Sequence, residues 1–303
     1  MTTTNYIVHQ LRASYAFMER NLNLVKRYWT WELVWMVYSI ANSLSVSFIG
    51  MGMEHLSGES ANVDGRYLVL YLVIGTLVWR YLSTVFYWIT ELISIERWEG
   101  TIEYTLMAPI PRLTHMMGQT IFAVIYSLFF TGAILGVTVL IFDLDLSSAN
   151  LWGGTVMLLS GCLSFVGISV MASTLPLLFP ERGAQMTHII IALLLLVSGV
   201  YYPVDVLPDV LQKIAIFSPA TYVLDGVREA LIEGTSTLAL WPYIWPALLM
   251  GLIAIPAGLW VFKQAELYAK RSGKLHRNGL LKKDVCGWFL YPHASFKRSL
   301  RKR

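Results

Sequence analysis

Six stretches of this chain are each apolar over enough residues to cross a lipid bilayer, and no other feature constrains the fold as strongly. They lie near residues 29–53, 67–90, 113–142, 151–179, 185–202 and 238–262. A hydrocarbon core about 30 Å thick takes about 20 helical residues to cross. Backbone polar groups find no water there, so each stretch must close its own hydrogen bonds as a helix. A membrane barrel would instead show shorter segments of alternating polarity. The third and fourth stretches exceed the minimum and are expected to tilt or project. Composition agrees: 14% of the residues are charged, against about 25% in soluble domains. The expected fold class is an all-α integral membrane protein with six transmembrane helices.

The charges then set sidedness. The first 28 residues carry Arg12, Arg20, Lys26 and Arg27, and the segment 263–303 carries twelve more, so sixteen of the 23 basic residues sit at the two ends. The loop 54–66 has one and the loop 143–150 none. Basic ends stay in the cytoplasm, and an even number of spans places both termini there. The loops 91–112 and 180–183 are then cytoplasmic, and the acidic loop 203–237 is external. A net charge of +4 concentrated at the ends points to a membrane surface and not to nucleic acid. The chain divides into a cytoplasmic segment 1–28, a six-span domain 29–262 and a basic cytoplasmic tail 263–303. In the first of these, Leu11, Tyr15, Met18, Leu22 and Val25 recur at helical spacing among polar residues. That pattern is an amphipathic helix, either lying in the membrane interface or packed on a soluble partner. No cleavable leader is expected, because this segment lacks a compact apolar core.

Catalytic signatures are missing. Gly273-Lys274 is followed by Leu275, so no phosphate-binding loop is formed, and neither HExxH nor GxSxG occurs. The six histidines are scattered without metal-ligand spacing. Cys162 and Cys286 are expected at different depths, with neither a disulfide nor a thiolate metal site. Neither a catalytic residue nor a metal site is assigned. Within the spans, Arg80 stands out. It either pairs locally inside the bundle or meets an anionic substrate. Ion-coupled carriers need more buried ionisable groups than these spans provide.

Two loops are unusual. The cytoplasmic one contains Glu96, Glu99, Gly100, Thr101, Ile102, Glu103, Tyr104, Leu106, Pro109 and Pro111. Thr101 can cap a short helix with Glu103 in its first turn, and the prolines end it. Ile102 and Leu106 would face protein or membrane, leaving Glu96, Glu99 and Glu103 as polar handles. Such a helix either docks in a groove of a soluble partner or is an ordinary capped turn. The external loop begins Ser198-Gly199-Val200-Tyr201-Tyr202-Pro203. Pro203 and Pro208 are expected to break the fifth span, with short amphipathic helices over 209–217 and 222–231. Their apolar faces would dip back toward the membrane, where irregular backbone is tolerated against protein or a wet cavity.

Taken together, these segments resemble the ABC-2 type permease family, the membrane subunits of ATP-binding-cassette exporters. The run E-x-x-x-G-T-x-E-x-x-x-x-x-P is matched at Glu96, Gly100, Thr101, Glu103 and Pro109. A second run is matched at Ser198, Gly199, Pro203, Leu207, Pro208, Pro219, Thr221, Tyr222, Asp225 and Arg228. The resemblance covers about residues 5–265, and the tail beyond about Gly273 is longer than the family pattern. It implies a permease subunit without enzymatic activity of its own. ATP and Mg would bind two copies of a separate ATPase subunit, and a second permease chain, taken as identical, would complete the path in the cell (plasma or inner) membrane. The helix over Gly100–Leu106, with Glu96, Glu99, Thr101 and Glu103, would couple to the ATPase. Val197, Gly199, Tyr201, Pro203, Pro208, Pro219 and Arg228 would belong to an external gate and re-entrant segment. Trp79, Arg80, Phe86 and Leu195 are candidates for the path lining. Drug or antibiotic efflux is the leading expectation for the substrate, with polysaccharide or lipid-linked glycan export next and an ion-coupled carrier last.

Overall fold

The computed structural model describes residues 3–57, 65–142 and 149–272, and these contain helices and no strand. The chain runs α1 (Thr3–Arg27), α2 (Trp29–Ser57), α3 (Gly65–Thr90), α4 (Leu92–Glu99), α5 (Ile102–Met107), α6 (Arg112–Phe142), α7 (Leu151–Ala172), α8 (Thr174–Leu178), α9 (Gly183–Val197), a single 3-10 turn at Val204–Val206, α10 (Asp209–Ala215), α11 (Pro219–Leu231) and α12 (Trp241–Arg271). The charge counts of the loops 54–66 and 143–150 fall largely outside the described residues. The tail from 273, with Cys286, lies wholly outside them.

Among the described residues, five helices are long and apolar enough to cross a membrane, over Trp29–Gly52, Tyr67–Thr90, Arg112–Phe142, Leu151–Leu178 and Trp241–Arg271. The stretch expected as a fifth span forms the 15-residue α9. At 1.5 Å per residue that is about 22 Å, short of a full hydrocarbon core. The helix ends at Val197, earlier than Pro203, because Gly199 turns into the left-handed region with φ 69°. The stretch 151–179 is also interrupted, at Ser173 between α7 and α8. Pro176 has no N–H for the carbonyl of Ala172, so the ladder breaks there. The last helix continues to Arg271, past 262, since Phe262, Ala265, Glu266 and Ala269 remain buried against the bundle.

Helices α3 and α7 form the interior, and α2, α6 and α12 show more of their surface. The main core joins Tyr81, Leu82, Val85, Phe86 and Ile89 of α3 to Phe165 of α7, Leu224 of α11 and Phe262 of α12. The Ser164 hydroxyl donates to the Ala247 carbonyl at 2.5 Å, a polar tie between α7 and α12 of the kind that holds spans together where no hydrophobic force acts.

Helix α1 carries its apolar stripe in the expected register, and the side it packs inward holds small polar residues, while Arg12, Glu19 and Asn23 stay exposed. Leu11 and Tyr15 are exposed while Ser14 and Asn21 are buried. Ser14 donates to the Thr114 carbonyl at 3.0 Å, and the Asn21 side-chain amide donates to Oε1 of Gln119 on α6. Gln119 in turn donates to the Trp88 carbonyl at 2.7 Å. An exposed apolar stripe flanked by exposed Arg12, Glu19 and Lys26, over a hydrogen-bonded inner side, suits a helix lying at a membrane interface.

Candidate functional site

At one end of the bundle, α4 and α5 form a bent pair fixed to four other helices. Gly100, with φ 77°, closes α4. The Gly100 N–H donates to Arg97 at 3.2 Å and the Thr101 N–H to Glu96 at 2.8 Å, a left-handed cap that only glycine adopts without strain. Thr101 stands at the start of α5, but its hydroxyl makes no cap. It donates to the Glu96 carbonyl at 3.3 Å instead. The expected side-chain cap is therefore corrected: Thr101 has helical backbone angles, φ −92° and ψ −10°, where a capping residue is extended.

Glu96 is also corrected. It is no exposed handle, being fully buried at 0% exposure. Arg20 of α1 lies 2.9 Å from its Oε1, and His115 Nε2 of α6 donates to the same oxygen at 3.0 Å. Burial by itself favours the neutral carboxyl, but His115 and Arg20 outweigh it and hold Glu96 below the ordinary carboxylate value. The neighbouring Arg97 donates to the Leu177 carbonyl of α8 at 3.1 Å.

The other end of the pair is held by a second cluster. Arg112 grips Glu266 of α12 with two bonds of 2.8 Å. The same guanidinium donates to the Thr105 carbonyl at 3.0 Å and the Leu106 carbonyl at 2.5 Å. Lys270 adds a bond to Leu106 at 3.2 Å and an ion pair with Glu266 at 2.7 Å. Cations thus meet the free carbonyls at the C-terminus of α5, where the helix dipole favours them. Ile102 and Leu106 point into the core, as their spacing implied, while Trp98, Tyr104 and Met107 are 69%, 80% and 77% exposed. Glu99 and Glu103 are half-buried.

At the opposite end, the segment after α9 is pinned by Arg228 of α11. Its Nη2 donates to the carbonyls of Gly199 at 3.1 Å and Val200 at 2.8 Å. The guanidinium lies 3.6 Å from the Tyr71 ring centroid and 3.7 Å from Asp225. Ser198 and Ser218 share a hydroxyl hydrogen bond of 2.9 Å. On α3, a Cβ added to Gly75 would stand 2.2 Å from the Val200 oxygen, so this backbone lies directly against the helix. Asn150 caps α7 by accepting from the Gly153 N–H at 2.8 Å and donates to the Thr235 carbonyl at 2.8 Å, tying the segment after α11 down. Val197 and Pro219 are buried, and Pro203 and Pro208 are exposed.

Between these ends, Trp79, Arg80 and Tyr201 border one cavity of about 180 Å³ between α2, α3 and α6. Phe86 lies in the packed core and Leu195 packs against that core, so neither joins them. Arg20, His115, Arg112 and Glu266 stand in no motif that marks them as site residues in the sequence. Only the Glu266–Lys270 pair carried a local signal, as an i,i+4 acid-base spacing.

Among the described residues, five apolar helices of membrane-crossing length with short helices packed at both ends define a membrane-embedded helical protein. A profile of the ABC-2 type transporter family matches residues 14–232, and the chain belongs to that family. It is 22% identical over 191 residues to the probable multidrug ABC transporter permease YbhR of Escherichia coli K12 and to the protein of the same name in Escherichia coli O157:H7. That match covers 62% of this chain and 50% of the relative, so the chain spans about half the length of the curated relatives it matches.

Proposed function

We propose that this chain is the permease subunit of an ATP-driven exporter whose ATPase is a separate protein docking on the α4–α5 pair. One observation carries the reading: α4–α5 is fastened to α1, α6, α8 and α12 by buried polar contacts and leaves Trp98, Tyr104 and Met107 outward. An anchored lever with an exposed aromatic tip passes a push from a soluble partner into several spans at once. α9 with its re-entrant continuation makes the sixth crossing, both termini lie in the cytoplasm, and the membrane is the plasma or inner membrane. Two copies of the chain form the path and two ATPases drive it. The external gate lies where Arg228 holds the Gly199–Val200 backbone against Gly75. The substrate is amphipathic or lipid-like, with a drug or antibiotic favoured by the multidrug designation of the relative.

The test is affinity purification of the tagged chain in mild detergent. A phosphate-binding-loop ATPase in stoichiometric amount is expected, with ATP hydrolysis present only when both proteins are. Transport by the purified chain alone in liposomes under an ion gradient would overturn the reading.

A further inference from the structure

Arg80 stands about ten residues before the end of α3, hence about 15 Å along the axis, near the middle of a ~30 Å hydrocarbon core. A guanidinium at that depth is costly unless something compensates it. Its Nε is buried without a hydrogen-bond partner. Among the described residues no ion pair reaches it. Glu32, the carboxylate that shares its field, already accepts the Tyr126 hydroxyl.

What Arg80 does border is the 180 Å³ cavity, with Tyr38, Asn42, Ser43, Trp79 and Tyr201 among its walls and no acidic residue in its described lining. The Ser43 hydroxyl there is likewise buried and unpartnered. At about 30 Å³ per water the space equals roughly six waters, room for a carboxylate or phosphate group. A cation, an amide and several hydroxyls converge as donors, and the Trp79 indole supplies an apolar wall.

We infer that this cavity receives the anionic head group, a carboxylate or phosphate, of an amphipathic substrate, with Arg80 as its counter-ion. The inference relies on the exporter reading for what becomes of the ligand, and binding alone can be measured without any ATPase. The purified full chain is titrated with brominated dodecanoate, brominated dodecyl phosphate and brominated dodecyltrimethylammonium, and tryptophan quenching is followed. Both anionic probes are expected to quench saturably, with Trp79→Phe removing most of the saturable signal. Arg80→Gln is expected to weaken them at least about tenfold, the worth of a charge-assisted hydrogen bond, and Arg80→Lys to recover part of the loss.

Equal affinity for the cationic probe, or unchanged anion affinity in Arg80→Gln, would overturn the inference. So would inorganic phosphate competing as well as dodecyl phosphate, which would make the site one for a free anion. If Arg80→Gln does not survive purification, the double variant Asn42→Leu/Ser43→Val decides: severalfold weaker anion binding supports the site and unchanged binding overturns it. Failed co-purification with an ATPase leaves these titrations standing, and failed titrations leave the ATPase result standing.

Discussion

Glu96→Ala is expected to destabilise the purified chain by about 3 kcal/mol and to reduce ATP-driven transport at least tenfold. Removing one member of a buried charge cluster leaves the others without compensation, at about 3–5 kcal/mol, and the lower end applies because Arg20 retains 27% of its exposure. His115, at 1%, has no such relief. Chemical or thermal unfolding reads the stability, and vesicle uptake reads transport. Glu96→Gln separates charge from shape. It keeps an acceptor for both partners and is expected to cost about half as much in stability while still impairing coupling. The acid side follows from the depressed carboxyl. The stabilisation from Glu96 is full above the unfolded value of 4.5 and is lost as pH falls through the lower folded value. Full transport by Glu96→Ala would remove this cluster from the coupling route.

The second large effect is expected at the other end. Arg228→Ala leaves the Gly199 and Val200 carbonyls unsatisfied, at about 1–3 kcal/mol each, and removes the guanidinium from the Tyr71 ring, worth about 1–2 kcal/mol. A loss of about 3–5 kcal/mol is expected by unfolding, with leakage or loss of transport in vesicles. Arg228→Lys recovers little, because one ammonium cannot both stack on the ring and reach two carbonyls. Arg228→Lys behaving as wild type would show that charge alone matters there and that the forked geometry does not.

These two positions also mark what could be read from the sequence. Five of the six expected spans were legible because the bilayer demands long apolar helices. The two short helices after α9 were legible because Pro203 and Pro208 precede amphipathic runs, and α10 and α11 start within a few residues of the expected places. The amphipathic register of α1 was visible as well. Its orientation was not, since small polar residues such as Ser14 and Asn21 look the same whether they face water or a neighbouring helix. Glu96, Glu99 and Glu103 are alike in local sequence. Only tertiary pairing singles out Glu96, through Arg20 at a separation of 76 residues and His115 at 19. Glu266 meets Arg112 across 154 residues, which no spacing rule reaches. The helix α4 was hidden because Leu92, Ile93, Glu96 and Arg97 bury charge and apolar groups together, without a clean amphipathic pattern. Phe86 was misleading for a different reason: an aromatic in a span serves core packing as readily as a path.

The central claim is that the α4–α5 pair faces the cytoplasm and docks an ATPase there. Cysteine in place of Tyr104, in a chain with Cys286→Ser, tests it most directly, because Cys162 is buried and Tyr104 is 80% exposed. A membrane-impermeant maleimide is expected to leave Tyr104→Cys unlabelled in intact cells and to label it in inverted vesicles stripped of peripheral proteins. Restoring the co-purified ATPase is expected to protect it. Labelling in intact cells, or labelling in inverted vesicles that the ATPase does not diminish, would contradict the account.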